Sequence, residues 1–338
     1  MEKKITIKDI AKALGIHHST VSRALSDDFR IKEETKKRVK AYAEANGYVQ
    51  NVNALSFRGG TRRMIALIVP NVHHSFFSNI ISHIADYAKS EGYLTAVFQS
   101  NESIKAEKDF VINIMQNRFA GVIASLSMET KDVSHFEKLA DYNIPLVLFD
   151  RVSNELNVSK VVANSHEMIS KITQHLIEGG CRKVCYFGGS QDVFLFQDRA
   201  RGYKDAMAAA GLPPRFQEMK EAFSKELGER YTRLAVQSGC DAILCDSYNV
   251  ALGVHSELKK LGCRIPQDVA LVSFGNELSA SVLSPSMSLI VQPEADYAKH
   301  AFELLLEGMQ NFNSEKKTKQ LALFFDEKES STLLLNGM

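Results

Sequence analysis

The chain predicts two folds in series: an N-terminal three-helix helix-turn-helix domain with a hinge, then a two-lobed α/β body with doubly wound parallel sheets. Three observations carry this. A glycine interrupts a helical period in residues 6–25. Charge changes sign between the first 63 residues and the rest. From Met64 onward, strand-like and helix-like runs alternate in two series.

In the first helix, Ile7, Ile10, Ala11 and Leu14 recur at i, i+3, i+4 and i+7, which puts them on one face. Gly15 stops the helix at a residue free to take positive φ, and Ile16 packs back into the crease. A second helix follows, with Val21, Ala24 and Leu25 inward and His18, Ser19, Ser22 and Arg23 outward. Two short helices joined by a tight glycine turn, with small Ala11 at the crossing, form a helix-turn-helix. Hydroxyls and an arginine on the outer face suit the base edges and phosphates of a major groove. A third helix spans residues 33–46, with Val39, Tyr42 and Ala43 inward and Asn46-Gly47 as its stop. Residues 49–61 read as a hinge. They are too few for a stable isolated helix, include Gly59-Gly60, and suit a segment that folds only against DNA.

Residues 1–63 hold fourteen Lys+Arg against seven Asp+Glu, a net of +7. The remainder holds 27 against 33, a net of −6, and the two give the +1 of the whole chain. A basic head on an acidic body is the electrostatic footprint of a nucleic-acid-binding arm, with affinity that falls steeply as salt rises.

In the body, residues 65–69, 93–98, 121–125 and 145–149 read as strands, alternating with helices at 76–91 and 106–116. A second series has strands at 184–187, 242–245 and 269–273, and helices at 199–210, 226–237 and 251–260. Two such series mean two lobes, with ligands expected at the carboxyl ends of the strands. The expected division is 1–48 for the head, 49–61 for the hinge and 62–338 for the body. One lobe takes about 62–162 and 293–323, the other about 163–292 and 324–338.

Composition narrows the class. At 338 residues and 45% hydrophobic content, substantial cores can form. No apolar run approaches the roughly 18–20 residues that span a bilayer, so no membrane partner is expected. Met1-Glu2-Lys3-Lys4-Ile5-Thr6 leads straight into the first helix without a signal-peptide apolar region, and the expected place is the cytoplasm, at the nucleoid. That and the basic head argue against a transport solute-binding protein. Cys181, Cys185, Cys240, Cys245 and Cys263 fit no zinc or redox spacing and read as reduced packing residues. His17-His18 and His73-His74 are adjacent pairs, not the i, i+4 spacing that converges on a metal. Gly188-Gly189-Ser190 lacks phosphate-loop spacing, and no nucleophile elbow or paired-carboxylate arrangement supports catalysis. The expectation is no enzyme, no cofactor and no metal.

With these parts in this order, the chain resembles transcription regulators of the lactose/purine-repressor (LacI/GalR) family. The body repeats family phrases: Phe76-Phe77, Asp150-Arg151, Arg199-x-x-Gly202-Tyr203, Ala251-Leu252-Gly253, Ile265-Pro266-Gln267-Asp268-Val269 and Leu283-Ser284-Pro285. The resemblance implies a repressor that binds a palindromic double-stranded operator as a homodimer. It also implies a periplasmic-binding-protein-like (type I) body that senses a small molecule, most often a carbohydrate or derivative. Ligand would change the angle between lobes and so order or melt the hinge.

In that family the first exposed residues of the second helix choose the bases. Here they are His18 and Ser19, with Arg23 one turn later, and arginine suits guanine O6 and N7. Thr6, Thr20 and Ser22 are placed to hold phosphates, and Arg30 is a candidate backbone or edge contact. Asp27-Asp28 sits uneasily there, since carboxylates repel phosphate; outward orientation or a turn cap is expected. Hinge residues Asn53, Ala54 and Arg58 complete the set. The family's minor-groove leucine is Phe57 here, and phenylalanine is a wedge residue in other minor-groove binders. Phe57 alternatively packs on the body in the free protein, and both can hold in different states.

For the effector pocket, Phe76, Phe77, Ser125 and Phe223 match lining positions, while Asp150 and Arg199 match polar contacts; Asn164, Ser247, Gly275 and Asn276 complete the set. The family's Val-Asp-Asn reads Val162-Ala163-Asn164, its Ala-Asn-Asp reads Asp246-Ser247-Tyr248, and its Gly-Phe-Asp-Asp reads Ser273-Phe274-Gly275-Asn276. Fewer carboxylates beside Arg199 favour a ligand that is less polyhydroxylated or negatively charged, unless Asp246 and Asn276 take over the lost roles.

Overall fold

The computed structural model describes residues 5–48, 63–276 and 278–332. The hinge candidates Asn53, Ala54, Phe57 and Arg58 lie outside them. The chain divides into residues 1–61 and 62–338.

The first unit is three helices, α1 (Ile7–Leu14), α2 (His18–Leu25) and α3 (Glu33–Ala45). Ile10, Val21, Ala24 and Val39 are fully buried, with Ala11 and Ala43 nearly so, and Ile7, Leu14, Ile16, Leu25 and Tyr42 pack around them. Every inward residue read from the helical period is in this cluster. None of the three helices is long enough to stand alone in water, so a coherent apolar face is what holds each one. Gly15 ends α1 at φ +66°, and the Ile16 N–H donates back to the Ala11 carbonyl.

The second unit holds two six-stranded sheets. β1 (Met64–Val69), β2 (Leu94–Gln99), β3 (Gly121–Ala124), β4 (Leu146–Phe149), β5 (Ser159–Ala163) and β11 (Thr318–Leu321) are parallel, in the order β11-β5-β4-β3-β1-β2. β6 (Val184–Gly189), β7 (Arg215–Met219), β8 (Ala242–Cys245), β9 (Ala270–Phe274), β10 (Ser288–Val291) and β12 (Phe324–Asp326) form the other, in the order β12-β10-β9-β8-β6-β7. In it β12 alone runs antiparallel. The chain passes between the sheets after β5, after β10 and after β11. The helices are α4 (Ser75–Ser90), α5 (Ile104–Gln116), α6 (Ser134–Glu137), α7 (Ser165–Glu178), α8 (Phe194–Ala209), α9 (Lys225–Gln237), α10 (Tyr248–Lys260) and α11 (Glu294–Gln310). No helix among the described residues is long and apolar enough to cross a membrane.

The structure adds β5, β7, β10, β11, β12, α6, α7 and α11 to the elements read from the sequence. It also starts α8 at Phe194, because Phe194-Leu195-Phe196 is an apolar run that hides its helical period. The five cysteines are free thiols; all but Cys263 are buried.

Two helix pairs, α7 with α8 and α9 with α10, pack so closely that glycine is required at the crossing. A Cβ on Gly202 would lie 2.2 Å from the His166 carbonyl oxygen, and one on Gly253 would lie 2.0 Å from that of Lys225. Both neighbours are backbone, which cannot swing aside. Gly253→Ala should therefore lower stability by about 1–3 kcal/mol, read as an earlier denaturation midpoint. An unchanged midpoint would show that the crossing yields.

Candidate functional site

In the head, His17 caps α2: its Nδ1 accepts from the Ser19 N–H (3.3 Å) and from the Ser19 hydroxyl (2.8 Å). His18 and Arg23 are exposed beyond it, with Ser19, Thr20 and Ser22 half-buried. Thr6 forms a capping box with Asp9, its hydroxyl donating to the carboxylate at 2.6 Å, so it holds the start of α1. The two awkward carboxylates each have a cation of their own. Asp28 accepts from the Arg30 backbone N–H (2.9 Å) and from its guanidinium (2.9 and 2.7 Å), and Asp27 accepts from Lys40 at 2.6 Å. These bonds hold both carboxyls below the usual carboxylate range. Arg30 thus pairs with Asp28 while its side chain stays 60% exposed.

In the body, the predicted pocket residues follow the carboxyl ends of strands: Phe76 and Phe77 after β1, Ser125 after β3, Asp150 after β4, Asn164 after β5, Phe223 after β7, Ser247 after β8, and Gly275 and Asn276 after β9. This is where a parallel sheet places ligands. A separate cavity of about 790 Å³ lies at the amino ends of β4, β5 and β11, the far side of that sheet from these residues.

Arg199, on α8, is 3% exposed and bonds Asp246 at 3.1 Å. Asp246 also accepts from the Tyr186 hydroxyl (2.6 Å) and from the Gly189 N–H (2.8 Å). The Phe274 ring covers the guanidinium, its centre 3.5 Å from the central carbon. Asp246 therefore supplies the acid that the altered family phrases left in question. Asp150 is buried in the left-handed region at φ +58°, and the Gln292 side-chain amide donates to it at 3.2 Å. Burial pushes its carboxyl up, against the pull of Arg199 and Arg151. Strain of this kind in a buried acid marks functional sites.

Two predicted residues do other work. Asn164 accepts from the Leu323 N–H at 2.8 Å and its own N–H donates to Leu321, which ties two of the inter-sheet crossings together. Asn276 is exposed and donates to Glu294, which also accepts from Asn79. Phe223 packs on Phe196, ring centres 5.7 Å apart.

The sequence reading missed Arg151, Phe196, Glu102 and His74. Arg151 was visible in the phrase Asp150-Arg151, and Phe196 lies one helical turn before Arg199. Glu102 carried no local signal. The Arg151 guanidinium lies 5.9 Å from the Phe77 ring centre and 5.3 Å from that of Phe196. Among the described residues, the buried side-chain atoms without a hydrogen-bond partner include His74 Nδ1, Ser125 Oγ, Arg151 Nε, Arg199 Nε and Ser247 Oγ. Each such atom left dry costs about 1–3 kcal/mol, so a polar guest or water that reached them would be stabilising.

Arg199→Ala would leave Asp246 a lone buried charge, so it should destabilise the body by about 3–5 kcal/mol. Denaturation midpoints read this, and a midpoint equal to wild type would show that water satisfies Asp246. His74 is held neutral by burial and by Arg151 and Arg199, its value down at about 4. Between there and the ordinary 6.5 the unfolded chain binds a proton that the folded chain excludes. Its contribution is therefore complete above the ordinary value and is lost as pH falls toward 4, by on the order of 3 kcal/mol in all. In His74→Gln that part of the acid-side slope should vanish, while an unchanged slope would place the proton-linked group elsewhere.

Comparison with known proteins bears on both units. Residues 6–51 match the profile of bacterial regulatory proteins of the lacI family, and residues 173–331 that of a periplasmic binding protein-like domain. The HTH-type transcriptional repressor PurR of Vibrio vulnificus is 27% identical over 94% of this chain and 95% of its own length. A lac repressor dimer bound to operator and an anti-inducer superposes with a TM-score of 0.84 at 19% identity, over 97% of this chain and 99% of that one. A LacI transcriptional regulator from Alkaliphilus metalliredigens, complexed with D-xylulofuranose, gives 0.70 at 26% identity over 80% of this chain and 99% of its own. This chain therefore carries a helix-turn-helix head of the lacI family of bacterial regulatory proteins, followed by a periplasmic-binding-protein-like body with two parallel-sheet lobes.

Proposed function

We propose that the protein is a repressor of transcription that works in the cytoplasm, binds a palindromic operator as a homodimer, and is controlled by a neutral carbohydrate. His18, Ser19 and Arg23 read bases, Thr6, Thr20, Ser22 and Arg30 steady the backbone, and Asn53, Ala54, Phe57 and Arg58 engage the minor groove. The named relatives that are repressors support this reading, as does the exposed polar face of α2. A second copy would cover the apolar side chains left exposed at Leu278 (92%) and Val282 (81%), and at Leu94 and Val97 on the edge strand β2. Residues 62–162 with 293–323, and 163–292 with 324–338, act as two lobes that close over the effector.

One observation carries the effector class: both cleft guanidiniums are already matched, Arg199 by Asp246 and Arg151 by Glu102. Asp150, whose carboxyl burial pushes up, is then the acid left over, so the cleft offers an anionic guest no unmatched cation. A neutral ring with hydroxyls suits Asp150, the unpartnered serines and the faces of Phe76 and Phe77. D-xylulofuranose in the Alkaliphilus regulator is a guest of this kind. Sugar acids and phosphates, which a free Arg199 would have favoured, are disfavoured.

A gel-shift titration at two salt concentrations tests the DNA side. Arg23→Ala should lose about 1–3 kcal/mol on the specific site and relax one base pair per half-site; equal loss on random DNA would make Arg23 a phosphate contact. Thermal shift against neutral sugars, sugar phosphates and sugar acids tests the effector, and stabilisation by the acids alone would overturn the neutral reading.

A further inference from the structure

Between the strand β2 and the helix α5, Asn101 and Glu102 both stand in the left-handed region, at φ +50° and +64°. Two consecutive non-glycine residues there are costly and persist only when their surroundings fix them. Here the Asn101 backbone N–H donates to the Pro70 carbonyl at 3.0 Å, and the Gln99 side-chain amide donates to Asn101 Oδ1. The turn delivers one carboxylate to one place. Glu102 receives Arg151 Nη1 on both oxygens, at 2.8 and 2.9 Å, and the Met128 N–H at 2.8 Å.

Both donors face elements of the other sheet. Arg151 lies between Phe77 of α4 and Phe196 of α8. Met128 packs in one apolar cluster with Val193, Leu195 and Phe196. Beside them Lys131 pairs with Asp192 at 2.9 Å, but both are well exposed, so that pair adds little.

We propose that Glu102 is the positioning residue of a clasp that closes the lobes: it holds Arg151 and Met128 against Phe196, and closure stands on this contact before any effector arrives. The proposal rests on reading the lobes as closing over the effector. Its test uses no ligand, so it can fail without touching the carbohydrate assignment, and the reverse.

The experiment is hydrogen exchange of the full-length protein, followed by mass spectrometry. In Glu102→Gln, which keeps an acceptor for the Met128 N–H and removes the ion pair, exchange should rise about tenfold or more in both 127–132 and 190–197. Phe196→Leu should do the same from the other side, raising exchange at 100–103 and 127–132. The double variant should exceed neither single variant by more than about twofold. Faster exchange confined to 127–132 in Glu102→Gln would overturn the clasp, because Glu102 would then be holding only its own lobe. So would an unchanged 100–103 in Phe196→Leu. Lys131→Ala serves as the control: a rise equal to that of Glu102→Gln would assign closure to the exposed pair instead.

Discussion

Arg199 and Asp246 come from α8 and from the end of β8, and either one would be a lone buried charge without the other. An uncompensated ion in such a place costs several kcal/mol, so the pair obliges four elements to meet. Tyr186 within β6 and Gly189 at its end fix the carboxylate, and Phe274 at the end of β9 roofs the guanidinium. The same knot sets the character of the cleft. An arginine that is spent internally contributes shape and a flat cationic face, without a free charge for a guest. Beside it stand the strained Asp150, a set of hydroxyls and aromatic rings.

How much of this could be read from the chain depends on distance along it. The head is built from local period, so Ile10, Val21 and Val39 were readable as core, and Gly15 as the stop. Central strands such as Ala242–Cys245 declare themselves as unbroken apolar runs because both faces are covered. The edge strands β7 and β11 do not, since Arg215-Phe216-Gln217-Glu218 and Thr318-Lys319-Gln320 keep polar residues that discourage further pairing. Phe76, Phe77 and Asp150 were found because the family phrases contain them. Their partners were not. Asp246 lies 47 residues from Arg199 and Glu102 lies 49 from Arg151, and no periodicity connects residues across such a span. Asn164 shows a role that its place in a family phrase does not announce: its side chain braces a crossing.

Three chain crossings join the two sheets, and Asn164 stitches the first to the third through Leu321 and Leu323. Side-by-side connectors of this kind act as a piano hinge. They resist shear and twist and leave one soft coordinate, a bend about the line that runs through them. A body joined in this way bends more readily than it twists, and such a bend widens or narrows the gap between the carboxyl ends of its two sheets.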